Sequence, residues 1–446
     1  MEKNLTDGSV FKNLAFFSLP YLLSYFLQTL YGMADLFIIG SFDGTAATTS
    51  VSVGSQVMHM LTVIIVGLAM GSTVSIGNAV GSGDRKKAAV YIGNTVTLFM
   101  ALSLVLTAAL VLVVSPIVNA VSTPAEAVSG TVRYLTICFL GIPFITAYNI
   151  ISSIFRGLGD SKSPMYFIAV ACASNIVLDY LFIGAFNMGP AGAALGTTLS
   201  QGLSVAVSLF VILKRRLGIE LKKADFKPLG SVMGKILKIG IPISLQDGFI
   251  QISFILITAI ANRRGLTDAA AVGIVEKIIG FVFLVPSSML SAVSAIGAQN
   301  IGAGKPKRAV STLGYAIIIS SVFSVAAAVT VQFAANGMVG LFTDDSAVIL
   351  SGGRYLKGYI WDCFFAGIHF SCSGYFCAAG KSGFSFLHNL LSIILVRIPG
   401  AYITSKLFTT TLLPMGLSSA AGSLFSVIIC AVILAVMLKK GNYKSV

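Results

Sequence analysis

The sequence predicts an all-α integral membrane protein of about twelve transmembrane helices, on three observations. Of 446 residues, 56% are hydrophobic and 10% charged, against about 25% charged residues in an ordinary soluble domain. Apolar runs of 22–30 residues recur along the chain, each long enough to cross about 30 Å of hydrocarbon at about 1.5 Å per residue. No run shows the in/out alternation over about ten residues of a membrane barrel strand, and a spanning segment that is not a barrel strand must be helical to satisfy its backbone.

In chain order the predicted spans are 14–39, 51–79, 90–115, 131–154, 164–186 and 191–213 in the first half, and 237–260, 270–299, 310–333, 352–378, 384–405 and 416–438 in the second. The opening MEKNLTDGSVFKNL has mixed charge, and no small-residue cleavage site follows a short apolar core, so 14–39 reads as a retained helix. The longest polar stretch, between Lys214 and Lys238, separates the halves. The expected organisation is therefore a six-helix bundle over 1–213, a cytoplasmic linker over 214–236 and a second six-helix bundle over 237–446.

The net charge of +14 does not imply a nucleic-acid partner, because the basic residues gather in alternate loops. With the N-terminus inside, the intracellular segments hold 22 of the 30 Lys and Arg, including Lys3, Lys12, Arg85, Lys86, Lys87, Arg215, Arg216, Lys305, Lys307, Arg308, Lys381, Lys439, Lys440 and Lys444. The outer loops near 40–50, 116–130, 187–190 and 335–351 hold none; Arg263 and Arg264 are the exceptions. The positive-inside rule then places both termini in the cytoplasm. Cys138, Cys172, Cys363, Cys372, Cys377 and Cys430 all fall in apolar runs without metal-ligand spacing and read as packing thiols.

A shift of 221 residues lays Gly81-Ser82-Gly83-Asp84-Arg85-Lys86-Lys87-Ala88 on Gly302-Ala303-Gly304-Lys305-Pro306-Lys307-Arg308-Ala309, Arg133-Tyr134-Leu135 on Arg354-Tyr355-Leu356, and Phe155 and Gly159 on Phe376 and Gly380. One six-helix unit is thus used twice. An even helix count makes the halves parallel repeats, a transporter design with its substrate site near mid-membrane. No G-x-x-x-x-G-K-[ST] loop is present, so an ion gradient must drive any uphill transport.

An ionised group at the bilayer centre costs about 2.5–3.5 kcal/mol or more, which makes embedded acids functional candidates. Asp35 follows Tyr31 and Gln28 on one helix face, and Asp179 follows Asn175 at i−4. Both acids fall in the outer half of the first bundle, where two close carboxylates can share a proton or small cation. In the second half, Asp247 lies beside Gln246 and one turn before Gln251, while Asp362 has Tyr359 at i−3 and His369 at i+7. Arg397 is the one clearly embedded base there, so an Asp362–Arg397 or Asp247–Arg397 ion pair is the structural alternative to an ion site. Glu276 and Lys277 point about 100° apart on one helix, and a snorkelling or mutually screened pair competes with a cavity role. Asn149 joins Gln28, Tyr31, Gln251, Glu276, Tyr359 and Arg397 as candidate cavity lining. His59, His369 and His388 read as hydrogen-bonded core histidines. Pro20, Pro143, Pro242, Pro286 and Pro399 interrupt predicted helices.

Taken in order, Gly32-Met33-Ala34-Asp35 with Ile39-Gly40, Asn175-Ile176-Val177-Leu178-Asp179, Gly189-Pro190-Ala191-Gly192-Ala193-Ala194 and Gln299-Asn300-Ile301-Gly302-Ala303-Gly304 resemble the multidrug and toxic compound extrusion family over nearly the whole chain. The resemblance implies a V-shaped pair of bundles in the plasma membrane. It also implies export of cationic amphipathic compounds in exchange for H+ or Na+, with no other cofactor, membrane lipid around a monomer, and no nucleic acid. It assigns ion coupling to Asp35, Asn175 and Asp179, and matches Asp247 and Asp362 to second-lobe acids by helix and depth. The seventh-helix acid of such members is often Glu, and Asp247 is shorter. Pro20 resembles a proline at which the first helix of some members bends. A lipid-linked oligosaccharide or lipid II flippase is the competing reading; it would call for embedded Arg and Lys where this chain embeds mostly Asp. An intramembrane enzyme lacks support, since neither a catalytic His-Asp spacing nor H-E-x-x-H occurs. Proton coupling is expected at the N-terminal pair and any sodium dependence at the C-terminal pair.

Overall fold

A computed structural model describes residues 4–215 and 218–439; Lys3, Arg216, Lys440, Lys444 and the Arg215 side chain lie outside the described residues. The chain is helical throughout, in the order α1 (Val10–Phe42), α2 (Thr45–Gly81), α3 (Arg85–Leu112), α4 (Val114–Ala120), α5 (Ala125–Leu140), α6 (Ile142–Gly157), α7 (Lys162–Asp179), a π turn (Tyr180–Ala185) and α8 (Gly189–Arg215). After a short 3-10 turn at Lys223–Phe226 come α9 (Gly230–Asn262), α10 (Leu266–Val282), α11 (Leu284–Gly302), α12 (Pro306–Gly340), α13 (Ser346–Ala378), α14 (Gly383–Ser392), a second π turn (Ile393–Arg397), α15 (Ile398–Leu407) and α16 (Leu413–Lys439).

Among the described residues, ten helical runs are long and apolar enough to cross a membrane, and the bent pair α5–α6 makes eleven. The twelfth predicted span is α13. Its 33 residues are long enough, but polar residues such as Asp362 and His369 leave it outside the apolar set. It is the central helix of its half, packed against α10, α11, α12 and α16, so Asp362 and His369 face protein, while Arg354 near its start is exposed. Large apolar side chains such as Phe333, Leu266 and Leu112 are instead exposed, as a lipid-facing surface requires.

The prolines act in different ways. Pro20 and Pro242 lie inside the unbroken α1 and α9. Pro143 follows the 48° bend between α5 and α6, Pro286 follows the break at Phe283, and Pro399 follows the second π turn. Each of these last three sits in the first turn of its helix, where a missing N–H costs nothing.

The repeat is written into the backbone. Gly83 and Gly304 adopt φ of 74° and 71°, and Gly159 and Gly380 adopt 89° and 68°, a left-handed geometry that glycine takes without strain. At each, the following amide reaches back across the turn: Asp84 to Ala79, Lys305 to Asn300, Asp160 to Phe155 and Lys381 to Phe376. These are the C-terminal bonds of a Schellman motif, which satisfy otherwise orphaned helix carbonyls.

The contacts resolve two compact units. The first holds residues 23–240, and the second holds residues 5–22 and those from 241 on. The division therefore cuts α1 and α9 rather than loops. The start of α1 is clasped within the second unit: Lys305 pairs with Asp7 at 2.7 Å and also bonds the Thr6 carbonyl, and Asn300 donates to the Leu5 carbonyl. The start of α9 is gripped within the first, where Gly71 and Gly240 pass directly against the backbones of Ile236 and Leu68. Arg264, an outer-loop exception in the sequence, caps the α15 end by donating to the carbonyls of Ser405, Phe408 and Thr409 while pairing with Asp268 at 2.7 Å.

Helix α13 approaches α16 through two glycines, Gly358 against the Leu413 carbonyl and Gly416 against the Tyr355 carbonyl. Close approach at small residues is how helices associate in lipid, where no hydrophobic drive exists between them. Gly416→Val should therefore cost about 1–3 kcal/mol by overpacking and lower the thermal unfolding midpoint in detergent. Gly314→Val, at a position facing open space, should leave it unchanged; equal midpoints for both variants would remove the crossing from the stabilising core.

Candidate functional site

In the first unit α1, α7 and α8 bring together the residues expected to act together. Asp35, Asn175 and Asp179 are all buried, with exposures of 3%, 1% and 0%. The Thr197 hydroxyl donates to Asp35 Oδ2 at 3.2 Å, and Asn175 Nδ2 to Asp179 Oδ1 at 3.5 Å. The two carboxyl groups lie side by side, within hydrogen-bonding reach, with Asn175 next to Asp35 as well. Asp179 lies against the bare backbone of α8 at Gly196, where any Cβ would collide with its carboxylate. Tyr31 is near Asp35, and Gln28 stands beside Tyr148. Asn149 is buried but turned to its own helix, donating to the Ile145 carbonyl at 2.8 Å.

This arrangement is short of donors. Asp35 Oδ1, Asp179 Oδ2 and Asn175 Oδ1 are buried with no hydrogen-bond partner, and no ion pair to either acid occurs among the described residues. Two adjacent carboxylates in a low-dielectric interior cannot both stay ionised without a counter-charge. Such a pair can hold a shared proton or a small cation. The π turn that begins at Tyr180, immediately after Asp179, is the kind of local helix distortion that clusters at functional sites.

The second unit solves its charge problem differently. Arg397 Nη2 donates to Asp362 Oδ2 at 3.2 Å and to the Tyr359 hydroxyl at 2.7 Å. Its guanidinium lies over the rings of Phe254 and Tyr359 at 5.3 and 5.8 Å. Of the two ion pairs left open by the sequence, the structure holds Asp362–Arg397; Asp247 instead accepts from Gln246 at 3.4 Å and is half-buried. Glu276 is half-buried, 3.0 Å through each oxygen from the Thr258 hydroxyl, while Lys277 is exposed. The pair is therefore not mutually screened. Gln251 is half-buried on α9.

His369 and His388 are buried and hydrogen-bonded, to Ser423 at 3.3 Å and to Ser373 at 2.9 Å respectively. The core reading of His59 is corrected: its side chain on α2 is exposed. All six cysteines are free and buried.

Thr197, Gly196, Thr258, Phe254 and Ser423 escaped the sequence reading. For four of them the only signal was a polar or small residue within an apolar run, which many packing positions share, and Phe254 showed nothing to set it apart from other apolar residues. The π turns beside Asp179 and Arg397 carried none.

The MatE family profile matches residues 20–181 and 242–403, one match in each half. "Probable multidrug resistance protein YpnP" of Bacillus subtilis is 32% identical over 97% of this chain and 96% of its own length. "Multidrug export protein MepA" of Staphylococcus aureus (strain MRSA252) is 25% identical over 90% and 89%. Among solved structures, an outward-facing multidrug resistance MATE family transporter of the MOP superfamily superposes with a TM-score of 0.91 at 21% identity, covering 99% of this chain and 98% of that one. A MOP superfamily transporter from Pyrococcus furiosus reaches 0.90 at 20% identity over 99% and 98%; both likenesses concern the fold. Two family matches separated by the repeat, together with a relative similar end to end, make this chain a multi-pass membrane protein of the MatE, or multidrug and toxic compound extrusion, family.

Proposed function

We propose that this protein is a secondary antiporter that exports amphipathic organic cations, with the carboxyl pair Asp35–Asp179 as the site where the coupling ion, a proton, is exchanged. The observation that carries this reading is the facing of two buried acids with no basic partner. Loading the pair with a proton satisfies orphaned oxygens without breaking any existing ion pair, and releasing it leaves a negative charge that favours a cationic substrate. Relatives named for multidrug resistance and multidrug export support the substrate class. Asn175 and Thr197 serve as fixed donors that hold the two carboxyls in register.

Asp362 is less suited to exchange, because its charge is already balanced by Arg397. The same pairing weighs against a lipid-diphosphate flippase, since the embedded guanidinium of Arg397 is occupied. The plasma membrane and cytoplasmic termini belong to this proposal, supported by the charge distribution along the sequence.

Asp35→Asn should abolish proton-driven ethidium efflux from proteoliposomes while leaving insertion and the thermal midpoint intact, because the amide keeps the shape and cannot change charge. Near-normal exchange in that variant would remove Asp35 from the mechanism. For the choice of ion, Asp35→Asn/Asp179→Asn and Asp247→Asn/Asp362→Asn should be compared under proton-only and sodium-only gradients. Loss of proton-driven efflux in the second double variant but not the first would reverse the assignment.

Removing the base of the buried pair isolates its structural share. Arg397→Met should destabilise by about 3–5 kcal/mol, since an uncompensated carboxylate is left behind, and adding Asp362→Asn should restore most of that. Thermal unfolding of the two variants measures it; a double variant no more stable than the single one would mean that the pair is not the source of the loss.

A further inference from the structure

The span that carries Asp179 and the span that carries Arg397 share an unusual burial pattern. Along α7 and its π turn every fourth residue is buried: Ser163, Phe167, Ala171, Asn175, Asp179 and Ile183. Along α14, the second π turn and α15 the same spacing buries Ser385, Asn389, Ile393, Arg397, Ala401 and Ser405. A regular α-helix turns such a row by about 40° at each step, which would carry it off one face within a few turns. The π turns interrupt that drift. In the first, the Phe186 amide reaches five residues back to the Leu181 carbonyl at 3.0 Å; in the second, the Ile398 amide reaches Ile393. A wider turn rotates less per residue, so Ile183 is buried along with Asp179, and Arg397 along with Ile393.

Each span also meets bare backbone on the helix that follows it. In the first unit Gly196 of α8 lies against Asp179, where a Cβ would collide with Oδ1, the oxygen that accepts from Asn175 at 3.5 Å. One turn earlier, a Cβ on Gly192 would stand 3.1 Å from the backbone of Phe182 in the π turn. On its other side, Tyr180 meets the Phe42 ring of α1 edge to face at 6.0 Å, and a Cβ on Gly184 would come within 3.0 Å of that ring. In the second unit a Cβ on Gly422 of α16 would stand 3.0 Å from Arg397 Cβ and 3.1 Å from Ser392 Oγ, and Ser392 donates to the Gly422 carbonyl. Small residues let helices come this close in lipid. The two arrangements share geometry and not charge, since one holds an acid and the other a base.

We propose that each π turn and the glycine facing its span form a seat that fixes one charged side chain. Gly196 is a positioning residue for proton exchange between Asp35 and Asp179, and Gly422 is one for the Asp362–Arg397 pair. The role of Gly196 rests on the reading of this protein as proton-driven; that of Gly422 does not. In the first seat Asp179 Oδ1 is backed by Gly196 and held by Asn175, which leaves Oδ2, buried without a fixed donor, to share a proton with Asp35. A methyl group on α8 would push that carboxyl from its place without altering any charge. In the second seat a methyl group on α16 would displace Arg397 from Asp362 and loosen a standing ion pair.

The test compares Gly196→Ala, Gly422→Ala and a control on α8, Gly202→Ala, whose Cβ would meet the Phe144 ring at an ordinary 3.8 Å. In Gly196→Ala, proton-driven ethidium flux in proteoliposomes should fall at least about tenfold further than ethidium counterflow, which needs no net proton movement, since a misplacement of about 1 Å can cost about a hundredfold. In Gly422→Ala the thermal midpoint should fall by roughly 2–4 °C, with any losses equal in the two assays. Gly202→Ala should match the unsubstituted protein. Equal losses in both assays for Gly196→Ala, or an unmoved midpoint or a preferential loss of proton-driven flux in Gly422→Ala, would overturn the seats. Should Gly196→Ala fail to fold, Asp179→Glu keeps the charge and the bare α8 while extending the carboxyl by one methylene. It should show the same preferential loss, and near-normal proton-driven flux in it would refute positioning. Should the unsubstituted protein show no proton-driven flux, the transport reading fails by itself. The first seat is then decided by carbodiimide labelling of Asp179 in detergent, read by mass spectrometry: a rate changed by Gly196→Ala and not by Gly202→Ala supports it, and equal rates in all three proteins refute it.

Discussion

Charge in an apolar medium is the constraint on which the rest of this structure depends. Asp35, Asp179, Asp362 and Arg397 are all nearly or fully buried, and each would be expensive to hold as an isolated ion. The first unit sets two acids together with only neutral donors around them among the described residues. The second unit closes its account internally, with a guanidinium held between a carboxylate, a phenol and two aromatic faces. On the proposed reading, the first arrangement suits ion exchange and the second does not.

Duplication supplied the scaffold but not the chemistry. The glycine turns at Gly83 and Gly304, and at Gly159 and Gly380, are conformational twins, because a left-handed helix ending needs the same residue wherever it occurs. The acids do not obey the repeat. Asp362 stands 221 residues after Gly141, where the first unit breaks into α5 and α6 with a 48° bend. In the second unit the corresponding helix α13 runs unbroken through Asp362. The helix break of one half is replaced in the other by a continuous helix that carries a carboxylate tied to Arg397.

Helices α1 and α9 carry the consequence of cutting the contact units within helices. The segment before α1 is bonded to the α11–α12 turn, while the same helix, beyond residue 23, carries Asp35 into the first unit. Pro20 lies near that handover on α1 and Pro242 near the one on α9. A proline inside a helix removes one backbone bond, so both helices have their weakest backbone where they pass from one unit to the other.

The number and course of the helices were legible in the sequence because hydrocarbon admits few alternatives: an apolar run of sufficient length must be helical. The repeat was legible because glycine turns and basic loops leave fixed spacings. The candidates Asp35, Asn175 and Asp179 could be named because embedded polar groups are rare, and their helical spacing predicted the Asn175–Asp179 contact. The tertiary structure alone decided which acid Arg397 would take, that Asp247 would stand apart from it, that Thr197 and Gly196 would face the first-unit acids, and that His59 would lie exposed while His369 met His388. Those outcomes depend on how the helices are rotated against one another, over distances of a few ångströms. Apolar composition fixes that a helix spans but leaves its rotation to the packing of its neighbours.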